Sequence, residues 1–156
     1  MKTKEFRDHF CIFAHMKIIV FLLCSFLLLS GSCNKTPNHP VPYIPFDITI
    51  DLNLPSYSPI TGVGSWAYVN GGSKGIIVYR RSIDEFIAFD RHSPADPDGT
   101  CAYPLYPDSQ NFLLLKDSCS SAVFSLYDGS PISGSSFGLR QYVTSYNGSN
   151  QVRIYN

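Results

Sequence analysis

"AVFSLYDGSPISGSSFGLRQYVTSYNGSNQVRIY" (residues 122–155) is the stretch that decides the fold class. It holds strand-like runs folded back at two x-Gly steps, Asp128-Gly129 and Asn147-Gly148. Such steps between β-type runs are strong hairpin signals, because tight turns need residues that tolerate positive φ. Working upstream, "NFLLLK" (111–116) reads as a buried strand, and "DEFIAFD" (84–90) as another short one. "SWAYVNGGSKGIIVYRR" (65–81) is a hairpin around "NGGSKG", and "FDITIDLNL" (46–54) alternates apolar and polar residues. No stretch carries a helical period of convincing length, and there is no internal repeat. The expected fold is therefore all-β and antiparallel, in one domain over residues 46–156. Of the chain's ten tyrosines and eleven phenylalanines, nine and six fall in residues 46–156 and give the small core its bulk, so packing outweighs an aromatic binding face for most of them.

The N-terminus reads differently. "MKIIVFLLCSFLLLSGSC" (16–33) has a basic start at Lys17, an apolar run from Ile18 to Leu29, small residues, and then Cys33. This is the layout of a secretory signal. The apolar run is well short of the ~20 residues that span a bilayer. Cys33 after small residues resembles a bacterial lipoprotein signal, in which that cysteine is acylated; the alternative is an ordinary signal cut nearby. Residues 1–32 are expected to be the signal, with Met16 a better start than Met1. Residues 33–45 are expected to be the lipidated cysteine and its tether. "NKTPNHPVPYIP" (34–45) has four prolines, cannot be helical, and reads as an extended, solvated linker in which His39 is not a ligand. The expected location is the cell envelope, on its periplasmic or surface side.

Composition narrows the function. Residues 33–156 hold 8 Lys and Arg against 10 Asp and Glu, a net charge of −2. Nothing favours nucleic acid, which needs a basic patch. Two cysteines, Cys101 and Cys119, remain in the folded part, and two cysteines in an exported domain point to one disulfide. A reactive thiol pair is the rival reading, though neither cysteine lies in a Cys-x-x-Cys motif. "GSSFG" (134–138) fits G-x-S-x-G, but a nucleophile elbow needs a following helix and a histidine base. Here a strand follows, and His92 is the one histidine in residues 46–156. "GGSKG" (71–75) lacks the Walker spacing and the helix that cradle phosphate. An enzyme is not expected.

"RHSPADPDGTCAYPLYPDSQ" (91–110) is a long Pro- and Asp-rich loop, and loops of that length are usually functional or braced. A strand ending in "FIAFDRHSP", this loop, a strand ending in "LLLKDSCSS", and the closing run with Phe124, Gly129, Gly134, Leu139 and Tyr142 occur in a telling order. Over residues 44–156 the chain resembles the Rieske iron–sulfur domain family, in its small Bacteroidota-type lipoprotein branch. The resemblance implies a β-sandwich with a small loop-rich subdomain, whose two loops carry a [2Fe–2S] cluster on two cysteines and two histidines. The matching places here are Asp90 and His92 in the first loop and Asp117 and Ser120 in the second. Three of the four ligands are therefore absent, and hard oxygen donors replace thiolate poorly. The resemblance also implies that Cys101 and Cys119 tie the two loops together, as a disulfide does in some members. The expectation is a membrane-anchored lipoprotein with no cofactor, a binding or structural module beside an unidentified envelope protein. The alternative is a redox or metal protein, with a degenerate [2Fe–2S] centre or a single Zn²⁺ on Asp90, His92 and Asp117. His92 could equally be a loop residue bonded to Asp90 or to a backbone carbonyl.

Overall fold

The computed structural model describes residues 38–156, so the signal segment, Cys33 and the first part of the tether lie outside the described residues. Ten strands follow in order: β1 (Asp47–Asp51), β2 (Trp66–Val69), β3 (Ile76–Arg80), β4 (Phe86–Asp90), β5 (Tyr106–Pro107), β6 (Leu114–Lys116), β7 (Val123–Ser125), β8 (Pro131–Ser133), β9 (Gln141–Tyr146) and β10 (Gln151–Tyr155). They form a six-stranded sheet, β1-β10-β9-β4-β3-β2, and a four-stranded sheet, β5-β6-β7-β8, antiparallel throughout. The all-β expectation holds. β9 is the corner of the larger sheet. Its Gln141 and Tyr142 pair with Phe89 and Ala88 of β4, whereas Val143 to Tyr146 pair with β10.

The continuous apolar runs in β3 and β4 have a simple cause: both faces are covered. Ile76, Val78, Phe86 and Ala88 point into a core inside the curl of the larger sheet, with Ile50, Val152 and Ile154. The residues between them, Ile77, Tyr79, Ile87 and Phe89, point the other way, onto Leu105, Leu115, Phe124, Leu126 and Leu139 of the smaller sheet and its loops. Side chains alternate across a strand, so a strand sandwiched between two cores must be apolar at every position. The β7–β8 turn approaches this layer closely. Gly129 has φ +74°, and a Cβ there would sit 2.5 Å from Phe89 Cε1.

Three details depart from the sequence expectation. Only Leu115 of "NFLLLK" is fully buried, and Phe112 is 54% exposed. Phe112 and Leu113 lie in the turn before β6, which itself covers only Leu114–Lys116, so the apolar run is longer than the strand it announces. Between β1 and β2 lies a 3₁₀ helix, Pro55–Thr61, which seats Ile60 in the first core. The hydroxyls of Ser58 and Thr61 donate to the carbonyls of Pro55 and Ser58 three residues back. Lastly, the tether is pinned to the domain at several points from residue 39 onward, although residues 42–45 remain exposed. Val41 is fully buried. Arg140 donates to the Val41 carbonyl from Nε and Nη2 at 3.0 and 2.6 Å, and Asn156 Nδ2 donates to that of Ile44. His39 Nε2 donates to the Gly138 carbonyl, and Nδ1 accepts from the Val41 amide. An extended Pro-rich segment offers free carbonyls, and the strand edge supplies the donors.

Candidate functional site

Two loops meet at one end of the smaller sheet. Loop one runs from Arg91 to Leu105 and is closed by the Leu105 amide donating to the Arg91 carbonyl at 2.8 Å. Loop two runs from Asp117 to Ala122 and is closed by the Asp117 amide donating to Ala122. A disulfide between Cys101 and Cys119, with Cα atoms 5.8 Å apart, joins them. The bridge read from the cysteine count is present. Prolines 94, 97 and 104 keep loop one out of regular structure, so side chains organise it instead. Asp96 is the hub: its carboxylate accepts from the Thr100 amide and hydroxyl, the Cys101 amide and Lys74 Nζ. Burial pushes its carboxyl up, but the Cys101 and Thr100 hydrogen bonds and Lys74 outweigh this and bring the pKa down to about 2. Lys74 Nζ also donates to the Cys101 carbonyl at 2.6 Å.

Asp90 sits at the end of β4 and is fully buried. Burying a carboxylate is costly unless donors replace its water. Four do so here. Oδ2 accepts from the Ser73 amide at 2.6 Å and the Tyr142 hydroxyl at 2.5 Å, and Oδ1 accepts from the His92 and Lys74 amides at 2.7 and 3.2 Å. Burial and then the Asp90 hydrogen bond push the Tyr142 hydroxyl pKa well up. Gly72 makes the approach possible, with φ +63° and a Cβ position only 2.5 Å from Asp90 Oδ2. The "GGSKG" loop thus does aim backbone N–H groups at an anion, but the anion is the protein's own carboxylate.

His92 is 3% exposed and committed at both ring nitrogens. Nε2 lies 2.7 Å from the Asp96 carbonyl, which can only accept, so Nε2 carries a proton. Nδ1 lies 2.7 Å from Ser73 Oγ and accepts from it in the neutral ring. In loop two the Asp117 carboxylate is also buried. Oδ1 accepts from the Cys119 amide and Oδ2 from the Ser120 hydroxyl, both at 2.9 Å. Burial raises its pKa, but the hydrogen bonds from Ser93, Cys119 and Ser120 more than compensate, so the carboxyl lies below its ordinary value.

Asp90 and His92 are therefore neighbours in one network, and Asp117 and Ser120 in another. The described residues do not bring Asp90, His92 and Asp117 together as a ligand set. The one group of His, Cys, Asp and Glu donor atoms that does converge among them is Cys101, Asp117 and Cys119, within 4.8 Å of one another. Its two sulfurs are bonded to each other, so in this state it offers no thiolate. Ser73, Lys74, Asp96 and Tyr142 complete the networks. The sequence marked Ser73 and Lys74 as part of a hairpin turn, Asp96 as part of a long Pro- and Asp-rich loop and Tyr142 through the resemblance, but not their roles, because their partners are distant in the chain. Away from the loops, a groove of about 560 Å³ is lined by Trp66, Tyr68, Phe112 and Pro59. The Arg91 guanidinium stacks 3.7 Å from the Tyr68 ring centroid and donates to the Leu105 carbonyl. No family model matches this sequence, and no curated protein matches it.

Proposed function

We propose that the chain is an exported, lipid-anchored protein of the cell envelope, tethered through Cys33. Its Rieske-like domain carries no cluster and serves as a binding or structural module. The observation that carries this reading is the internal use of the four cluster-ligand places. Asp90, His92, Asp117 and Ser120 are each engaged by hydrogen bonds from their own loops or neighbouring elements, and a disulfide joins the loop tips where a cluster would otherwise link them. The residues do not fit a [2Fe–2S] centre, which needs two thiolates on one iron and two imidazoles on the other. Oxygen donors occupy three places, and both nitrogens of the one imidazole are engaged. Protein purified aerobically from membranes is expected to be colourless, with no iron or acid-labile sulfide. Iron and sulfide near two per chain with visible absorption would overturn the reading. Cys33→Ala should move the protein from the membrane to the soluble fraction; an unchanged distribution would refute the anchor. The converging Cys101, Asp117 and Cys119 atoms favour a second, metal-binding reading in one redox state only.

A further inference from the structure

We propose that reducing the Cys101–Cys119 disulfide turns the loop junction into a site for one thiophilic divalent cation of the Zn²⁺ class, held by Cys101, Cys119 and Asp117. Three features carry this. First, the donor atoms of these residues already lie within 4.8 Å of one another, with Asp117 Oδ1 3.9 Å from Cys101 Sγ. Second, the carboxylate is held by hydrogen bonds from the Ser120 hydroxyl and Cys119 amide of loop two and from Ser93 of loop one, none of which the S–S bond itself supplies. Third, the bridge is asymmetric: Cys101 is buried and Cys119 exposed, as are Ser118, Ser120 and Ser121 around it. The exposed sulfur can be attacked, and the exposed tip can shift as the sulfurs separate.

The exchange balances with a dithiol reductant. Its thiolate attacks Cys119 Sγ, the S–S bond breaks, and Cys101 leaves as a thiolate. The reductant's second thiol then attacks the mixed disulfide and releases Cys119. The reductant departs as its own disulfide, and its two protons end on Cys101 and Cys119. Two thiols beside a buried carboxylate cannot all ionise without mutual repulsion. A divalent cation removes that repulsion as it displaces the two protons. Two thiolates and one carboxylate suit Zn²⁺ or Co²⁺, and a fourth position stays open to water. Ser118 Oγ, 3.8 Å from Cys101 Sγ, keeps that side polar. The inference rests on the bridged loops of the proposed module, not on its anchor, and adds a second state to it.

The test is a Co²⁺ titration of the full chain, oxidised and after phosphine reduction, followed by sulfur-to-cobalt charge-transfer absorption and circular dichroism. The reduced protein should take up one Co²⁺ per chain with that band, and the oxidised protein should show none. Asp117→Asn should weaken reduced-state binding by about tenfold or more. The Cys101→Ser/Cys119→Ser variant leaves every cysteine before residue 34 unchanged as a control and should lose the band. Equal Co²⁺ binding in both redox states, an unchanged affinity in Asp117→Asn, or a band persisting in the serine variant would each overturn the proposal. If reduction unfolds the domain, added Co²⁺ should restore its dichroism; a chain that stays unfolded with metal also overturns it. Failure here leaves the iron and sulfide assay of the oxidised protein to decide the parent reading separately.

Discussion

Tyr142→Phe tests the buried Asp90 network with the smallest perturbation available. The ring stays, with its edge-to-face contact to Phe46 at 4.6 Å between centroids, and only the hydroxyl is removed. A hydrogen bond to a charged group contributes about 1.5–3 kcal/mol. The full cost of stranding a buried charge, about 3–5 kcal/mol, does not apply, because the Ser73, Lys74 and His92 amides remain on the carboxylate. The expected loss is therefore about 2 kcal/mol. For a domain of ~120 residues this lowers Tm by about 8 °C, and it should lower the urea midpoint by about 1 M with an unchanged m-value. Asp90→Asn should cost more, about 3–5 kcal/mol, since one carbonyl oxygen must then serve donors that met two. The two changes should be non-additive by at least about 1 kcal/mol in a double-mutant cycle. A Tyr142→Phe midpoint within about 0.5 kcal/mol of wild type, or strict additivity with Asp90→Asn, would show that the hydroxyl does not support the carboxylate.

Three further outcomes are expected. Cys119→Ser opens a loop with a sequence separation of 18, which the chain-entropy argument values at about 3 kcal/mol, so its Tm should fall by roughly 12 °C; thiol titration of the denatured, unreduced wild type should find neither Cys101 nor Cys119 free. Gly129→Ala must place a Cβ against Phe89 at positive φ and should cost about 2–4 kcal/mol by thermal melting; a wild-type Tm would contradict the close approach. Asp96 has a folded pKa of about 2 against about 3.9 unfolded, so its contribution is fully present above pH 4 and is lost as pH falls toward 2. Asp96→Asn should flatten the rise of the urea midpoint between pH 2 and 4, and a parallel curve would sink this assignment.

The strands were legible because their signals are local. Asn147-Gly148 and Asp128-Gly129 mark hairpins without knowledge of the rest of the chain, and the doubly buried β3 and β4 announce themselves as unbroken apolar runs. The disulfide was legible by counting. The networks were not, because their geometry depends on residues far apart: Asp90 is 52 residues from Tyr142, and His39 is 99 from Gly138. Nothing in "NGGSKG" says that its amides will meet a carboxylate 16 and 17 residues on. The tether misled for the same reason. Its prolines correctly exclude a helix, but they do not reveal that Arg140 will hold the Val41 carbonyl. Phe112 shows the converse, an apolar residue whose neighbours in sequence implied a buried strand but which lies in the exposed turn before β6.

β3 and β4 supply a shared wall to both cores, and this bears on how the domain comes apart. Neither core can open while the other stays intact without exposing half of the same two strands. Unfolding should therefore be a single concerted event, with tryptophan fluorescence at Trp66 and far-ultraviolet dichroism changing together. The slowest-exchanging amides should lie in residues 76–80 and 86–90. A chain with few helical contacts and many distant pairings also has to assemble this wall late, after costly loop closure, which makes slow folding the kinetic counterpart of its shared interior.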